Sequence, residues 1–427
     1  MNTQTLTPVL PASARIADSG HLEVGGCDMV DLARRFGTPA YVMDVAEMRS
    51  RARRFNDALA ASGLEGTIKF ASKACPIVAV AELFAGMGLG CDVTSGGELR
   101  IALRGGFAPE TILFHGNAKS DEEIHEAVSG GVGLIAVDNA AEVERISAEA
   151  VKAGRTQELL LRLTPGVEGD TIAAISTGQA DSKFGVSLED APAVIEAVAA
   201  ADGLELVGLH VHIGSQLGDT GALARAAEVV AQFGSFPIVN LGGGLGVAYR
   251  SGDPDGDIEE FVAGAAAAAK ANFGDGIRLM LEPGRALVAT AGVTLYSVES
   301  VKRNVSNWVA VDGGISDNLR PLAYGAPYEA LVADRPGAEA TLECKVAGKH
   351  CESGDVIVRE AVLPDPVPGD TIAVPVTGAY GHSMSSNYNG ALRPPVIFVE
   401  NGEATEVVRR ETWDDLLARE LGGQGRA

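Results

Sequence analysis

A chain of 427 residues exceeds the length at which one hydrophobic core stops growing, about 250–300 residues, so two domains are expected. With 46% hydrophobic and 21% charged residues the composition is that of an ordinary globular protein, and a formal charge of −23 argues against a nucleic-acid partner. Five scattered cysteines without a CxxC pair exclude a disulfide framework; with no signal-peptide pattern and no apolar run near the roughly 18 residues of a membrane span, a cytoplasmic protein with no membrane partner is expected.

Along the chain, Tyr41–Asp44 reads as a short strand. Beyond it, apolar runs suited to buried parallel strands fall at Thr67–Ser72, Gly90–Ser95, Ile112–Gly116, Gly133–Asn139, Glu158–Pro165, Leu204–His212, Pro237–Gly244 and Arg278–Gly284. Helical periodicity separates them, as in Ile77–Gly86, Asp121–Val128 and Ala140–Ala153. Pro76 suits a first helical turn, where its missing N–H costs nothing. Ser95 with Glu98, and Ser120 with Glu123, have capping-box spacing, and Asn139 with Glu142 is close to it. Eight strands with seven helices between them predict a (β/α)₈ barrel over residues 45–290; a doubly wound open sheet is the alternative.

After Ala291 the alternation stops. Val293–Val301, Thr341–Ala347, Asp355–Val362, Thr371–Val376, Val396–Val399 and Ala404–Arg409 read as strands with no helices between them. Asn401-Gly402 is a hairpin turn signal. Residues 291–427 therefore form an all-β domain, a barrel or sandwich, closing on a short helix at Trp413–Leu421. The N-terminal segment 1–44 is expected to add a strand or two to it.

Chemistry collects at the carboxyl ends of the barrel strands, which is the end where barrel enzymes carry their sites. Lys73 follows the first strand, Ser95 the second, His115 the third, His212 the sixth, Gly242-Gly243-Gly244 the seventh, and Glu282 with Arg285 the eighth. Strand alternation puts Lys69, Ala71 and Lys73 on one face, Lys73 roughly 13 Å above Lys69. The three glycines form either an anion nest or a plain tight turn. His210 and His212 share a strand face, but further metal ligands have no obvious source, so packed or stacking histidines are expected and no metal. An amine, an anion nest and an acid on one rim suit pyridoxal phosphate: Lys73 as Schiff base, the nest for phosphate, Glu282 for the pyridine nitrogen. In the β domain, Gly348–Asp355 joins two strands and carries Cys351 beside Glu352, a thiol able to give a proton and an acid able to bind an amine.

Ten ordered runs point further: FASKAC, CDVTSGGEL, FHGNAKS, STGQADSKFG, GLHVHIGSQ, LGGGLG, EPGRA, VDGGISDNLRPLAYGA, GKHCESGD and TGAYGHSMSSNYN. On these, from about Gly37 to Leu417, the chain resembles the fold-type III pyridoxal-phosphate decarboxylases, most closely those that make lysine from meso-diaminopimelate. The resemblance implies that Lys73 carries the cofactor, that His212 stacks on its ring, and that Ser215 and Gly242–Gly244 bind its phosphate. Glu282 pairs with the pyridine nitrogen, flanked in the cofactor-binding set by Pro283, Gly284 and Arg285. Arg285, Arg320 and Tyr324 hold substrate carboxylates, and Tyr380 contacts cofactor and substrate. Cys351 is the proton donor and Glu352 binds the distal amino group, both entering from the other subunit of a homodimer.

The departures are Phe70 for a usual tyrosine, Cys75 for a frequent asparagine, Ile172-Ala173-Ala174, and Gly381-His382 after Tyr380. They touch the pocket region, so they bear on the substrate more than on the reaction class. The competing expectations are the same chemistry on another amino acid or polyamine precursor, a non-catalytic regulatory relative, and a metal-dependent barrel hydrolase.

Overall fold

Eight parallel strands pair edge to edge until the last meets the first. They are Gly66–Ala71, Gly90–Val93, Ile112–Phe114, Leu134–Val137, Gln157–Thr164, Leu204–His210, Ile238–Asn240 and Arg278–Leu281. The ring closes where Leu279–Leu281 pairs with Gly66–Ile68. The barrel is therefore closed, and the open-sheet alternative falls. These features are seen in a computed structural model, which describes residues 6–167, 182–217 and 220–422. The departures at Ile172–Ala174 lie outside the described residues.

The chain divides into two compact units: residues 49–247 with 254–287, and residues 1–48 with 248–253 and 288–427. In the first, a closed ring of eight strands leaves an interior just wide enough for side chains to fill. Leu113, Leu134, Ala136, Leu160, Val207, Ile238 and Met280, from six strands, fill it as one apolar cluster. Lys69 shares this interior; it is buried and donates from Nζ to the carbonyl of Thr111 at 2.7 Å.

Helix starts follow the sequence in part. Ser120 and Glu123 form the expected reciprocal capping box. Ser95 accepts from the Glu98 amide, while Glu98 turns its carboxylate to Thr94 and Ser72. Asn139 does not cap, because Glu142 is claimed by the Lys119 ammonium and the Asp138 amide. Pro76 stands outside its helix, which begins at Val78 after Ile77. The first strand also ends earlier than expected: Ser72–Ala74 is a 3₁₀ turn, so Lys73 leaves the strand face that Lys69 occupies.

In the second unit, Ala40–Asp44 lies between Gly292–Arg303 and Val396–Glu400 in a nine-stranded sheet, so the N-terminal segment does enter the β domain. The chain reverses at Asn401-Gly402 between Val396–Glu400 and Glu403–Val408, with positive φ at both turn residues. Asn307–Val311, which the sequence reading did not mark, pairs in parallel with Leu342–Ala347. Leu22, Val24, Val42, Leu295, Ala373 and Ile397 belong to its apolar core.

Candidate functional site

Glu282 stands just beyond the eighth barrel strand, and residues at the ends of the third, sixth and seventh strands converge on its carboxylate. His115 Nε2 donates to Oε1 at 2.8 Å and Asn240 Nδ2 to the same oxygen at 2.6 Å. His210 Nε2 reaches Oε2 at 3.3 Å. Burial works against charge on this group, but the two histidines outweigh it and hold Glu282 well below the usual carboxylate range. Burial likewise pushes His210 down to about 4, so it acts as a neutral donor rather than a cation. A carboxylate offers about four acceptor positions, and these three donors leave Oε2 room for one more.

Glu282 lines a cavity of about 310 Å³ with Lys73, Asp92, His115, Arg162 and His212 among its walls. Lys73 brings the amine; its exposed side chain sits on the 3₁₀ turn after the first strand. His212 accepts at Nδ1 from the Gly243 amide at 3.3 Å, and burial holds its pKa well down, which leaves the neutral ring's proton on Nε2. Asp92 is buried from the second strand, and that burial raises its carboxyl to about 6. Arg162, from the fifth strand, lies over the Phe184 ring at 4.6 Å and faces Asp138 at 3.7 Å.

The glycine turn after the seventh strand is tight for a steric reason. A Cβ on Gly243 would lie 2.1 Å from the Glu282 carbonyl oxygen, and Gly242 and Gly244 have φ of +70° and +114°. Two amides of the expected nest are engaged within the protein: Gly242 donates to Asn240 Oδ1 at 2.9 Å and Gly243 to His212. Nearby, Arg285 donates from Nε and Nη2 to the Ser215 hydroxyl at 3.2 and 3.0 Å. Pro283 accepts at its carbonyl from the Ala71 amide at 3.1 Å, and Gly284 lies against Ala71 and Ala74, so this turn is sewn to the Lys73 turn.

The remaining sequence candidates belong to the other unit. Arg320 is buried, bonded to the Tyr328 hydroxyl and stacked 4.5 Å from the Tyr249 ring. Tyr324 ends its short helix, and Tyr380 takes the left-handed backbone at φ +62°. Cys351 and Glu352 are exposed on the Gly348–Asp355 loop. The other four cysteines are buried, and all five are free thiols.

The sequence reading missed Asp92, Arg162, Asn240 and the part played by His115 and His210. A signal existed: each is a polar residue inside or ending an apolar strand run, which in a barrel points inward. The metal pair weighed in the sequence, His210 with His212, is not what the structure groups. His115, His210 and Glu282 have ligand-type atoms within 4.8 Å of one another. In this cluster His115 and His210 each turn Nε2 to the Glu282 carboxylate, while the buried His210 Nδ1 has no hydrogen-bond partner. The donor set fits pyridoxal phosphate: an amine for its aldehyde, an ionised carboxylate with one open acceptor position for its ring nitrogen, and a guanidinium and hydroxyl for its phosphate.

Comparison with known proteins bears on the same residues. The family model described as "Pyridoxal-dependent decarboxylase, pyridoxal binding domain" matches residues 45–289. The chain is 44% identical to the diaminopimelate decarboxylase of Bacillus subtilis, over 96% of this chain and 98% of that one. It is 42% identical to the diaminopimelate decarboxylase of Mycobacterium tuberculosis, over 97% and 98%. Among solved structures, the diaminopimelate decarboxylase of M. jannaschii in complex with L-lysine superposes with a TM-score of 0.90 at 32% identity, covering 97% of this chain and 99% of that one.

Proposed function

We infer the function from one premise: the chain belongs to the diaminopimelate decarboxylases, a family of pyridoxal-dependent decarboxylases. It is a pyridoxal-phosphate-dependent carboxy-lyase that converts meso-2,6-diaminopimelate to L-lysine and carbon dioxide, in lysine biosynthesis. The observation that carries this reading onto the chain's own residues is the amine of Lys73 sharing one cavity with a carboxylate clamped in its ionised form. The lysine held by the M. jannaschii relative is the product this reaction would leave.

Pyridoxal phosphate, when bound, supplies an electron sink for the carbanion left by loss of carbon dioxide. In our reading Lys73 would hold it covalently, His212 would lie against its ring, and Ser215, Arg285 and the Gly242–Gly244 turn, whose Gly242 and Gly243 amides are already engaged within the protein, would hold its phosphate, with Pro283 and Gly284 shaping the turn. Glu282, kept ionised by His115 and His210, keeps a proton on the ring nitrogen. Arg285, Arg320, Tyr324 and Tyr380 orient the substrate, so that one carboxylate is held for loss and the other is retained. Cys351 gives a proton to the carbon that loses carbon dioxide, and Glu352 binds the distal amine. The exposure of Cys351 and Glu352 supports their delivery to a second copy, and we propose a homodimer with shared sites. Among the described residues no helix is long and apolar enough to cross a membrane, which accords with the cytoplasmic site we propose.

The test is carbon dioxide release from meso-diaminopimelate by purified protein with added pyridoxal phosphate, set against ornithine and arginine. Lys73→Ala should abolish release, and borohydride reduction should no longer fix cofactor to the chain. Unchanged covalent fixation in that variant would remove Lys73 from its role. Metal analysis of the purified protein settles the cluster of His115, His210 and Glu282: stoichiometric zinc retained through dialysis would favour a hydrolase instead.

A further inference from the structure

Ser386–Asn389 closes one of the runs that carry the resemblance, and the site described above gives it no part. It belongs to the same compact unit as the Gly348–Asp355 loop. That loop is built around Asp355, whose buried carboxylate accepts from the His350 amide at 2.9 Å, His350 Nδ1 at 2.8 Å and the Ile315 amide at 2.8 Å. The Gly348 amide donates to the Asp355 carbonyl at 3.0 Å and closes the neck, where a Cβ on Gly348 would lie 2.1 Å from the same carboxylate. The base of the loop is therefore fixed from inside.

The tip is fixed from the neighbouring segment. The Cys351 amide donates to Asn389 Oδ1 at 2.9 Å, and the His350 ring stacks on Tyr388 with centroids 5.8 Å apart and 27° between planes. The segment is itself anchored: Ser386 donates from its amide to the Ser316 carbonyl at 2.8 Å, and Asn387 Nδ2 to the Ala391 carbonyl at 2.9 Å. Asn389 has φ +52°, a left-handed backbone that asparagine tolerates better than most residues with a side chain. One residue thus supplies both the turn and the acceptor.

We propose that Asn389 is a positioning residue that sets the Cys351 thiol for proton donation. The proposal rests on the acid role assigned to Cys351. A thiol gives up its proton only within hydrogen-bond reach of the receiving atom, and its place is set by the backbone from which it rotates. Fixing the base at Asp355 leaves the tip free to pivot; the Asn389 bond removes that freedom at the residue that carries the sulfur. Loss of the bond should misplace the thiol without disturbing the cavity around Lys73.

The variants are Asn389→Gly, which keeps the left-handed backbone and deletes the acceptor, and Asn389→Asp, which keeps both. Each is measured as holoenzyme for kcat and KM on meso-diaminopimelate and for the rate of Cys351 alkylation by iodoacetamide, the other cysteines being buried. In Asn389→Gly, kcat should fall about tenfold to a hundredfold with KM changed less than about threefold, and the alkylation rate should shift; Asn389→Asp should recover most of both. Wild-type kcat and alkylation rate in Asn389→Gly would overturn the proposal, and so would an Asn389→Asp enzyme as slow as Asn389→Gly. If Cys351→Ala keeps full kcat, the acid role itself falls. The alkylation rates then judge the contact alone, an unchanged rate in Asn389→Gly overturning it.

Discussion

At the scale of single residues, Glu282 shows how a buried acid is kept charged. Hydrogen bonds to a charged group are stronger than neutral ones, and His115, His210 and Asn240 supply three. Glu282→Gln keeps the shape and removes the charge, and its amide N–H₂ would face one of those donors as a second donor. We expect kcat to fall about a hundredfold or more, with cofactor still retained as judged by its visible absorbance. Full activity in that variant would mean that the ring nitrogen needs no anionic partner. Residues of this kind were partly legible in the sequence. Lys73, His212 and Glu282 stood out because each follows an apolar strand. Asp92, Arg162 and Asn240 were hidden in the runs themselves, since hydropathy reads such a residue as a lapse in the pattern. Only closure of the ring turns it into a site wall.

At the scale of elements, the sequence placed all eight barrel strands and ran each of them too far at its carboxyl end. The excess residues, Ser95, His115, His212 and Gly242 among them, lie beyond the paired strands. Apolar runs cannot report this, because the bonds that end a strand come from other parts of the chain. The Asn139 cap failed for a similar reason: its intended partner Glu142 serves Lys119, which reaches it at 2.9 Å from another loop. The glycine turn after the seventh strand is the element with least freedom. A methyl at Gly243 meets backbone, not a flexible side chain, and neither the Glu282 carbonyl nor the turn can give way without moving the carboxylate. Gly243→Ala should cost about 3 kcal/mol or more, read from urea unfolding, together with loss of cofactor retention. Wild-type stability there would mean the turn is looser than its contacts imply.

At the scale of the whole molecule, a charge of −23 gives no hint of where acid will strike first. The barrel does. His210 titrates near 4 in the folded chain because burial disfavours its charged form, against 6.5 when unfolded. Between those values the unfolded chain binds more protons, so stability falls as pH drops from about 6.5 to 4 and then levels off for this group, a loss on the order of 3 kcal/mol. Glu282, held low in the fold, extends the loss below 4.5 as it is forced to protonate. Hydrogen exchange at the amides of Leu204–His210 should show protection falling across that window, and His210→Gln should lessen the fall above pH 4, His212 keeping its own share because burial holds it down too. Equal pH dependence in wild type and variant would assign the acid sensitivity elsewhere.

The closed ring also sorts amines. Lys69 and Lys73 stand four residues apart, and burial lowers the Lys69 ammonium to about 8, which leaves more of its amine unprotonated near neutral pH than a lysine in water keeps. We expect an aldehyde entering the cavity to react at Lys73 nonetheless. Lys69 lies in the floor of the barrel with its nitrogen tied to the Thr111 carbonyl, while Lys73 has been lifted off the strand by the 3₁₀ turn and stands at the mouth. On that expectation carbonyl selectivity is a matter of access, decided by the residue at which a strand stops.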